Sequence, residues 1–425
     1  MWLLPGCGSR AVVAAVAGLA WAIPAQAQSP MPVVPVAPAA EVAPPTLSLA
    51  ECLAIGHERR PAIRAARHSH NATIIGYQAL NNIPAIGRYA RPDLPVRKEQ
   101  ALRGITLSQA GIEKAEQEAI YDITRLYYTY VYAKQQEITA SDVIEQMDLY
   151  YKVAEEILKS GVRDPKLKIT QFTLYGLQNL TSEIRSLKLK AETGRKQALE
   201  ALKEAMGGDC NLDFVPRDME LPIMGGSVSK EKVIALAMSR RPELAMAAAG
   251  SEAFRLEICA QLKARGMQSQ TLAAGSDIHA NQVPLPLRNG EYRPGAISPE
   301  MPGTLAGKKE DRVARAVELS LKADAVSEQV VNLIRLEAAN AFLNWESATK
   351  RLAEAKKKHE NARKMVEEAK AAAVARQDPE LIVTNETIAG RAQADYVEAA
   401  FEHLKALATL ERVTAGGIHP EFPGR

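Results

Sequence analysis

The sequence predicts a mostly α-helical fold with two tandem repeats, each containing a long coiled-coil helical hairpin. Three observations lead to this prediction. Only 5% of the 425 residues are aromatic and 24% are charged, a composition typical of long packed helices. Two separate segments occur twice, in the same order, along the chain. Long stretches also carry apolar residues at alternating spacings of three and four, which is the period of a coiled coil.

The internal duplication sets the predicted boundaries. Residues 47–66 (LSLAECLAIGHERRPAIRAA) align with residues 228–247 (VSKEKVIALAMSRRPELAMA), and both contain Arg-Arg-Pro. The segments DPKLKITQFTLYG, from Asp164, and DPELIVTNETIAG, from Asp378, share Asp, Pro, Leu, two Thr and Gly in register. The predicted units are a first repeat at 46–225 with its long hairpin at about 104–207, a second repeat at 226–417 with its long hairpin at about 309–415, and a tail at 418–425.

The N-terminal segment has the features of an export signal. Residues 1–27 contain one basic residue, Arg10, followed by an apolar stretch and the small-residue sequence Ala25-Gln26-Ala27, which together predict a cleaved signal peptide. Residues 28–45 are rich in proline and should form an extended linker. The net charge of +3 is small, and Lys and Arg alternate with Asp and Glu, so no basic surface for nucleic acid is expected.

The repeated segment begins with a short capped helix. Ser48 and Glu51 have the spacing of a capping box and predict a helix over 49–59, with a bend at Pro61 before the helix resumes. Ser229 should cap the equivalent helix of the second repeat. Cys52 falls on the apolar side of the first helix, where we expect a small buried hydrophobe rather than a reactive thiol.

Four long helices are predicted from apolar seams. The second repeat carries them at Ala338, Ala341, Trp345, Ala348, Leu352, Ala355, His359, Ala362, Val366, Ala369 and Ala373, and again at Ala389, Ala392, Tyr396, Ala399, His403, Ala406, Leu410 and Val413. The first repeat carries them at Ala140, Ile144, Met147, Tyr151, Ala154 and Leu158, and at Ile184, Leu187, Ala191, Gly194, Ala198, Ala201 and Ala205. Alanine seams bury little area per contact, so self-association is expected to complete the burial.

Chemistry-bearing residues are few. His359 and His403 lie on the two seams of the second hairpin, where a metal site or a pH switch is possible but a packed core residue is the more common outcome. A tyrosine belt on the first long helix fits either a membrane interface or ordinary packing; its members are Tyr121, Tyr127, Tyr128, Tyr130 and Tyr132. The motifs HExxH, GxSxG and GxGxxG are missing from the sequence, so we predict neither an enzyme nor a cofactor or metal site.

The two hairpin turns are the candidate functional sites. Each is predicted to place Asp at the helix N-cap and Pro at the first helical position, as Asp164-Pro165 and Asp378-Pro379. Such turns can be ordinary helix connections or docking tips at the ends of long rods. The candidate tip residues are Gly161, Val162, Arg163, Asp164, Pro165, Ala375, Arg376, Gln377, Asp378 and Pro379.

With these features together, the chain resembles the TolC-type outer-membrane efflux protein family over nearly its whole mature length. The resemblance is carried by the duplicated 47–66 segment, the Ser-Gly-Val turn and the closing AQADYVEAAFEHLKALATLERVTAGG. It implies a homotrimer in which twelve long helices enclose an α-barrel across the periplasm, below a β-barrel in the outer membrane. It also implies passive conduction of small molecules or proteins, as in tripartite efflux or type I secretion, with a periplasmic adaptor and an inner-membrane pump as partners.

The family pattern carries over to particular positions. Gly161-Val162 matches the adaptor-facing Val-Gly turn with the order reversed, and Val374-Ala375 occupies it in the second repeat. Leu381 and Thr384 stand where some members carry an aspartate ring. Residues 78–103 can scarcely hold two membrane-spanning strands of about 9–11 residues, and residues 266–309 show neither sustained alternation nor aromatic girdles. A reduced or degenerate β-barrel region is therefore expected. The alternative is a periplasmic coiled-coil scaffold or adaptor without a membrane pore.

Overall fold

The computed structural model describes residues 44–84, 87–160, 169–208, 213–271, 301–376, 379–420 and 422. The predicted signal peptide and most of the linker lie outside these residues. In chain order, the elements are β1 (Thr46–Leu47), α1 (Leu49–Arg59), α2 (Pro61–Asn81), α3 (Gly87–Ala90), α4 (Leu94–Lys159), α5 (Gln171–Ala205), β2 (Val215–Pro216), α6 (Lys230–Arg240), α7 (Pro242–Lys263), β3 (Gln268–Gln270), β4 (Thr304–Ala306), α8 (Lys309–Arg376) and α9 (Pro379–Val413).

The two predicted hairpins are present as α4–α5 and α8–α9, which confirms the mostly α-helical fold class. Helix α4 has 66 residues and α8 has 68, so each extends about 100 Å at 1.5 Å per residue. Helices α5 and α9 have 35 residues each. In the described part of the chain, no helix is both long enough and apolar enough to cross a bilayer.

Local capping begins the first helix of each repeat as the sequence predicts. The Ser48 hydroxyl accepts a hydrogen bond from the Glu51 backbone, and the Glu51 carboxylate accepts one from the Ser48 backbone N–H. In α6 the Ser229 hydroxyl accepts from the Lys232 N–H. Because Pro61 lacks an N–H and fits the first helical turn, α1 ends before it and α2 begins there, continuing beyond the predicted Ala66.

The helices lie side by side in a layer four helices wide. Along the N-terminal halves of α4 and α8, the order across the layer is α2, α4, α7 and α8. Along their C-terminal halves, the order is α5, α4, α9 and α8. Arg67 to Glu116 at 3.2 Å connects α2 with α4, and Arg103 to Glu252 at 2.6 Å connects α4 with α7. Helix α4 therefore has α2 and α5 of its own repeat on one side, and α7 and α9 of the other repeat on the other side.

The main core forms where α1, α4, α5, α6, α8 and α9 meet. The tyrosines of α4 belong to it: Tyr121, Tyr127, Tyr128 and Tyr130 are at most 2% exposed. Ordinary packing, not a lipid-facing belt, therefore explains these four tyrosines. Cys52 is fully buried in the same core, and burial raises the pKa of its thiol to about 12, as expected of an inert hydrophobic residue.

Apart from Ala373, whose side chain is not among those described, the predicted seams are confirmed except at two positions of the first hairpin. In the second hairpin, Ala338, Trp345 and Leu410 are buried as predicted. In the first hairpin, however, Leu158 is 37% exposed and Leu187 is 53% exposed, so these two seam assignments are wrong. A straight α-helix drifts by about 20° per heptad from a 3.5-residue repeat, which rotates some seam positions out of the contact.

The two loop zones differ in structure. Between α2 and α4, the described residues 82–84 and 87–93 form the short helix α3 and no strand. Between α7 and α8, β3 and β4 pair antiparallel, with Ser269 opposite Leu305. A separate parallel pair, β1 with β2, joins the start of the fold to the segment after α5 through Thr46 opposite Val215.

Candidate functional site

The predicted docking tips lie at the ends of the two hairpins, largely outside the described residues. Gly161, Val162, Arg163, Asp164 and Pro165 fall in the connection after α4, and Gln377 and Asp378 fall in the connection after α8. The backbone is described at the other three positions, where Ala375 and Arg376 end α8 and Pro379 begins α9. Pro379 thus takes the first helical position, as predicted.

The two turns have different lengths. Residues 160–170 separate α4 from α5, whereas only residues 377 and 378 separate α8 from α9. Helix α5 begins at Gln171 with Thr170 as its N-cap, whose hydroxyl accepts a hydrogen bond from the Thr173 N–H. The expectation that Asp164-Pro165 begins this return helix is therefore wrong, because the cap at Thr170 lies six residues further along the chain.

The repeats meet along a close junction between α4 and α9. A Cβ atom added to Gly390 would lie 2.6 Å from Val143 Cγ2, so the two helix backbones approach closely here. Nearby, the Gln136 side-chain amide donates to the Ala394 carbonyl at 3.0 Å. Tyr132 and Phe401 stack with ring centroids 4.8 Å apart. The second repeat therefore packs against the first through small and flat side chains.

A groove follows one side of this junction. Its volume is about 560 Å³, and its lining includes the ion pair of Lys370 with Glu386, whose charged atoms lie 2.7 Å apart. Polar side chains line much of the rest, including Gln135, Asp142, Gln146 and Gln393. This side of the α4–α9 junction is therefore lined mainly by polar and charged side chains.

Ion pairs, one partly buried and one buried, hold the short helices against the long ones. Arg60 pairs with Asp122 of α4 at 2.6 Å, and Arg241 pairs with Glu337 of α8 at 3.1 Å. These are the second arginines of the two Arg-Arg-Pro motifs, so the repeated motif marks a repeated contact. Glu337 also accepts a hydrogen bond from Arg412 of α9 at 2.7 Å.

The charge of Arg412 is strongly stabilised within this cluster. Burial opposes that charge, but the carboxylates of Glu337 and Glu118 raise the pKa of its guanidinium above the ordinary value. Arg412 lies 3.4 Å from Glu118 of α4, so one side chain connects both long helices. This cluster is not among the sites predicted from the sequence, although charged residues at 337 and 412 within the apolar helix pattern are a signal that could have found it.

A second buried cluster lies where α4, α7 and α8 meet the β3–β4 pair. Arg97 pairs with the fully buried Glu257 and donates to the Gln270 carbonyl at 2.7 Å. Arg312 is 1% exposed and donates to the carbonyls of Gly307, at 3.0 Å, and Gly266. Both ends of the short sheet are therefore anchored to long helices by guanidinium groups.

The two seam histidines behave as packed residues. His403 is 3% exposed, and His359 stacks on Tyr396 with ring centroids 5.6 Å apart. Burial lowers the pKa of both imidazoles, and for His359 the nearby Arg363 lowers it further. Among the described residues, no group of three or more His, Cys, Asp or Glu side chains is placed to hold a metal ion.

Comparisons with known proteins bear on the fold. No family model matches the chain, and a search of curated proteins finds no match. Solved structures do match. The open state of the Neisseria gonorrhoeae MtrE outer membrane channel aligns with a TM-score of 0.65 and 15% identity, covering 87% of this chain and 89% of that one.

Two further solved structures align over a similar share of the chain. The Campylobacter jejuni CmeC outer membrane channel aligns with a TM-score of 0.66 and 11% identity, over 88% of this chain and 87% of that one. The outer membrane protein VceC of Vibrio cholerae aligns with a TM-score of 0.64 and 11% identity, over 87% of this chain and 96% of that one. Two long hairpins packed through α4 and α9, matched over most of both chains, show that this chain has the fold of TolC-type outer membrane channels.

Proposed function

We propose that this chain is the exit duct of a tripartite efflux or type I secretion system, exported to the periplasm and outer membrane. The observation that carries the proposal is the four-abreast helix arrangement, aligned over 87% or more of the chain with outer membrane channels. Three copies of such a sector would supply twelve helices, enough to enclose a tube. Small molecules or proteins would pass through it as a passive conduit, without catalysis or a cofactor.

The hairpin ends are the proposed contact points for a periplasmic adaptor, which in turn would connect the duct to an inner-membrane pump. Each connection follows the C-terminal end of a long helix, α4 or α8, so a trimer would present six of them. Because three are long and three are short, the adaptor would meet two alternating kinds of tip. Arg163 and Arg376 supply one basic residue to each kind.

Charge reversal at the tips tests this assignment. The double variant Arg163→Glu/Arg376→Glu, and separately Gly161→Pro, should abolish export of a fluorescent efflux substrate while native mass spectrometry still reports a trimer. The matched control is Lys230→Glu, an exposed residue at the start of α6 far from the hairpin ends. Tip variants that export as well as the control would show that the tips have been misassigned.

One observation favours a second candidate, a periplasmic scaffold or adaptor without a membrane pore. A membrane-spanning β-strand needs about 9–11 residues. The α2–α4 connection contains only residues 82–93, and its described residues form a short helix instead. Cell fractionation and single-channel recording separate the candidates: a duct should remain with the outer membrane and conduct ions in a planar bilayer, whereas a scaffold should wash off and stay silent.

A further inference from the structure

We propose that the end of the fold opposite the hairpin turns lies on the surface of an anionic membrane leaflet, with Tyr89 and Met267 at the depth of the lipid headgroups. Basic side chains around these two residues would contact the phosphate groups. The proposal goes beyond the duct, because it assigns a lipid-binding surface to this end of the molecule whether or not a pore is present.

Three separate segments meet at this end. The Arg265 guanidinium, just after α7, donates a hydrogen bond to the Tyr89 carbonyl of α3 at 3.2 Å. The Gly307 N–H, just before α8, donates to the Met267 carbonyl at 2.9 Å. Helix α3, the β3–β4 pair and the start of α8 therefore form one continuous surface, about 100 Å along α4 from the hairpin turn.

Two large apolar side chains project from this surface. Tyr89 is 82% exposed and Met267 is 73% exposed. Exposed apolar side chains with polar groups around them mark contact sites on proteins. Tyrosine suits a membrane interface, because its ring is apolar and its hydroxyl can hydrogen-bond to headgroups and water. Methionine is flexible and adapts to an irregular apolar layer.

The charge of this end is complementary to an anionic leaflet. It comprises the described residues after α2 and α7, those before α4 and α8, and the helix turns that border them. The exposed acidic residues there are Glu310 and Asp311, whereas Asp93 is partly buried and pairs with Arg97 at 3.1 Å. The exposed basic residues are more numerous: Arg91, Lys263, Arg265, Lys308 and Lys309. Clusters of basic residues next to apolar anchors bind anionic lipid headgroups.

The buried arginines of this end hold the surface in place. Arg312 donates to the carbonyls of Gly266 and Gly307, which lie on both sides of the Met267 contact. Arg97 donates to the carbonyl of the last residue of β3 at 2.7 Å. The backbone on each side of Met267 is therefore fixed, and its side chain is kept outside the core. This gives a physical reason for two buried guanidinium groups beneath such a short sheet.

The geometry favours the leaflet surface over the bilayer interior. The α2–α4 connection, at residues 82–93, is shorter than two membrane-spanning strands of about 9–11 residues each. Helix α3, which carries Tyr89, has only four residues. A short amphipathic element beside basic residues fits the plane of the headgroups, where its apolar side chains reach the acyl boundary.

Tryptophan fluorescence tests the depth of Tyr89. Full-length Tyr89→Trp is reconstituted into vesicles of phosphatidylglycerol and phosphatidylcholine that carry bromine on the acyl chains, either near the headgroup or near the methyl end. After subtraction of the parent spectrum, quenching should be roughly twofold stronger with the bromine near the headgroup. The control is Leu149→Trp, which replaces a side chain that is 55% exposed about 80 Å further along α4 and should not be quenched.

Three results of this assay would overturn the proposal. Stronger quenching by the bromine near the methyl end would place Tyr89 inside the bilayer. An absence of quenching at both depths would show that this end does not touch lipid. Equal quenching of the Leu149→Trp control would show that the lipid contact is not specific to this end.

Vesicle flotation tests the role of the basic residues. Each basic side chain near an anionic leaflet strengthens binding by about fivefold, so Lys263→Gln/Lys308→Gln should weaken binding to preformed phosphatidylglycerol vesicles by about 25-fold. The control Lys356→Gln/Lys364→Gln removes two exposed charges from α8, about 70 Å or more from this end, and should bind like the parent protein.

The lipid comparison completes the test. Binding to phosphatidylcholine vesicles should be weaker than to phosphatidylglycerol vesicles and should be the same for all variants. Equal binding of the parent protein to both lipids, or an equal loss in the control variant, would refute recognition of anionic headgroups by this end. Neither assay measures conduction or export, so its result is independent of whether the proposed duct is correct.

Discussion

The close approach of α9 to α4 at Gly390 can be tested by adding one methyl group. In Gly390→Ala the new Cβ would lie 2.6 Å from Val143 Cγ2, well inside the optimal carbon–carbon separation of about 3.5–4.0 Å. Val143 is β-branched and within a helix, so its χ1 angle has little freedom to relieve the overlap. The helices must therefore separate or Val143 must adopt a strained rotamer.

The expected magnitude comes from two opposing effects. Overpacking of this kind costs about 1–3 kcal/mol, whereas replacing a helix-interior glycine by alanine stabilises by about 0.5–1 kcal/mol. We expect the free energy of unfolding of Gly390→Ala to fall by about 1–2 kcal/mol. Gly194→Ala in α5 is the control, because a Cβ there meets nothing within 4 Å, and it should be stabilised by about 0.5–1 kcal/mol.

Urea denaturation followed by circular dichroism at 222 nm measures both variants. The double variant Gly390→Ala/Val143→Ala completes the cycle, and relief of the overlap should appear as a coupling of about 1 kcal/mol in favour of the double variant. If Gly390→Ala is stabilised as much as Gly194→Ala, the two backbones are further apart than the structure shows. A destabilised Gly390→Ala that shows no coupling to Val143 would place its cost elsewhere.

Two further predictions concern buried ionisable groups. Glu337→Gln leaves the guanidinium groups of Arg241 and Arg412 short of a carboxylate and should lower the free energy of unfolding by about 3–5 kcal/mol, whereas Glu346→Gln, at an exposed pair, should change it by less than about 1 kcal/mol. Equal effects in the same urea titrations would contradict this role. Burial lowers the pKa of His403 from 6.5, so its contribution to stability is complete above pH 6.5 and decreases as the pH falls below that value towards the lower folded-state pKa. His403→Leu should flatten the decrease in Tm between pH 7.5 and pH 5.5; an unchanged slope would show that His403 does not titrate there.

Local features of this fold could be predicted from the sequence. Ser48 with Glu51 and Ser229 mark helix starts because capping involves only neighbours along the chain. The Ala338-to-Leu352 seam predicts its helix because an amphipathic spacing is a property of one segment. The resemblance of the duplicated segments to the TolC-type family extends these local predictions to the arrangement of the whole chain.

The candidate site was predictable only in part. The sequence predicts a turn between the long helices of each hairpin, but the predicted start of the return helix at Asp164-Pro165 is wrong, because α5 begins at Gln171. An Asp-Pro pair is a good helix start wherever it occurs, and nothing local says that Thr170 will serve instead. The difference in length between the two turns therefore follows from the helix ends in the structure and could not be predicted from the sequence.

By itself, the sequence determined that this protein is a duplicated set of long, alanine-rich helical hairpins, since periodicity and capping are encoded within each segment. Only the tertiary structure decided which helices face each other, with α9 against α4 at Gly390 and with Glu337 between Arg241 and Arg412. The physical reason is that packing and buried charge depend on residues hundreds of positions apart, whose proximity exists only after the chain has folded.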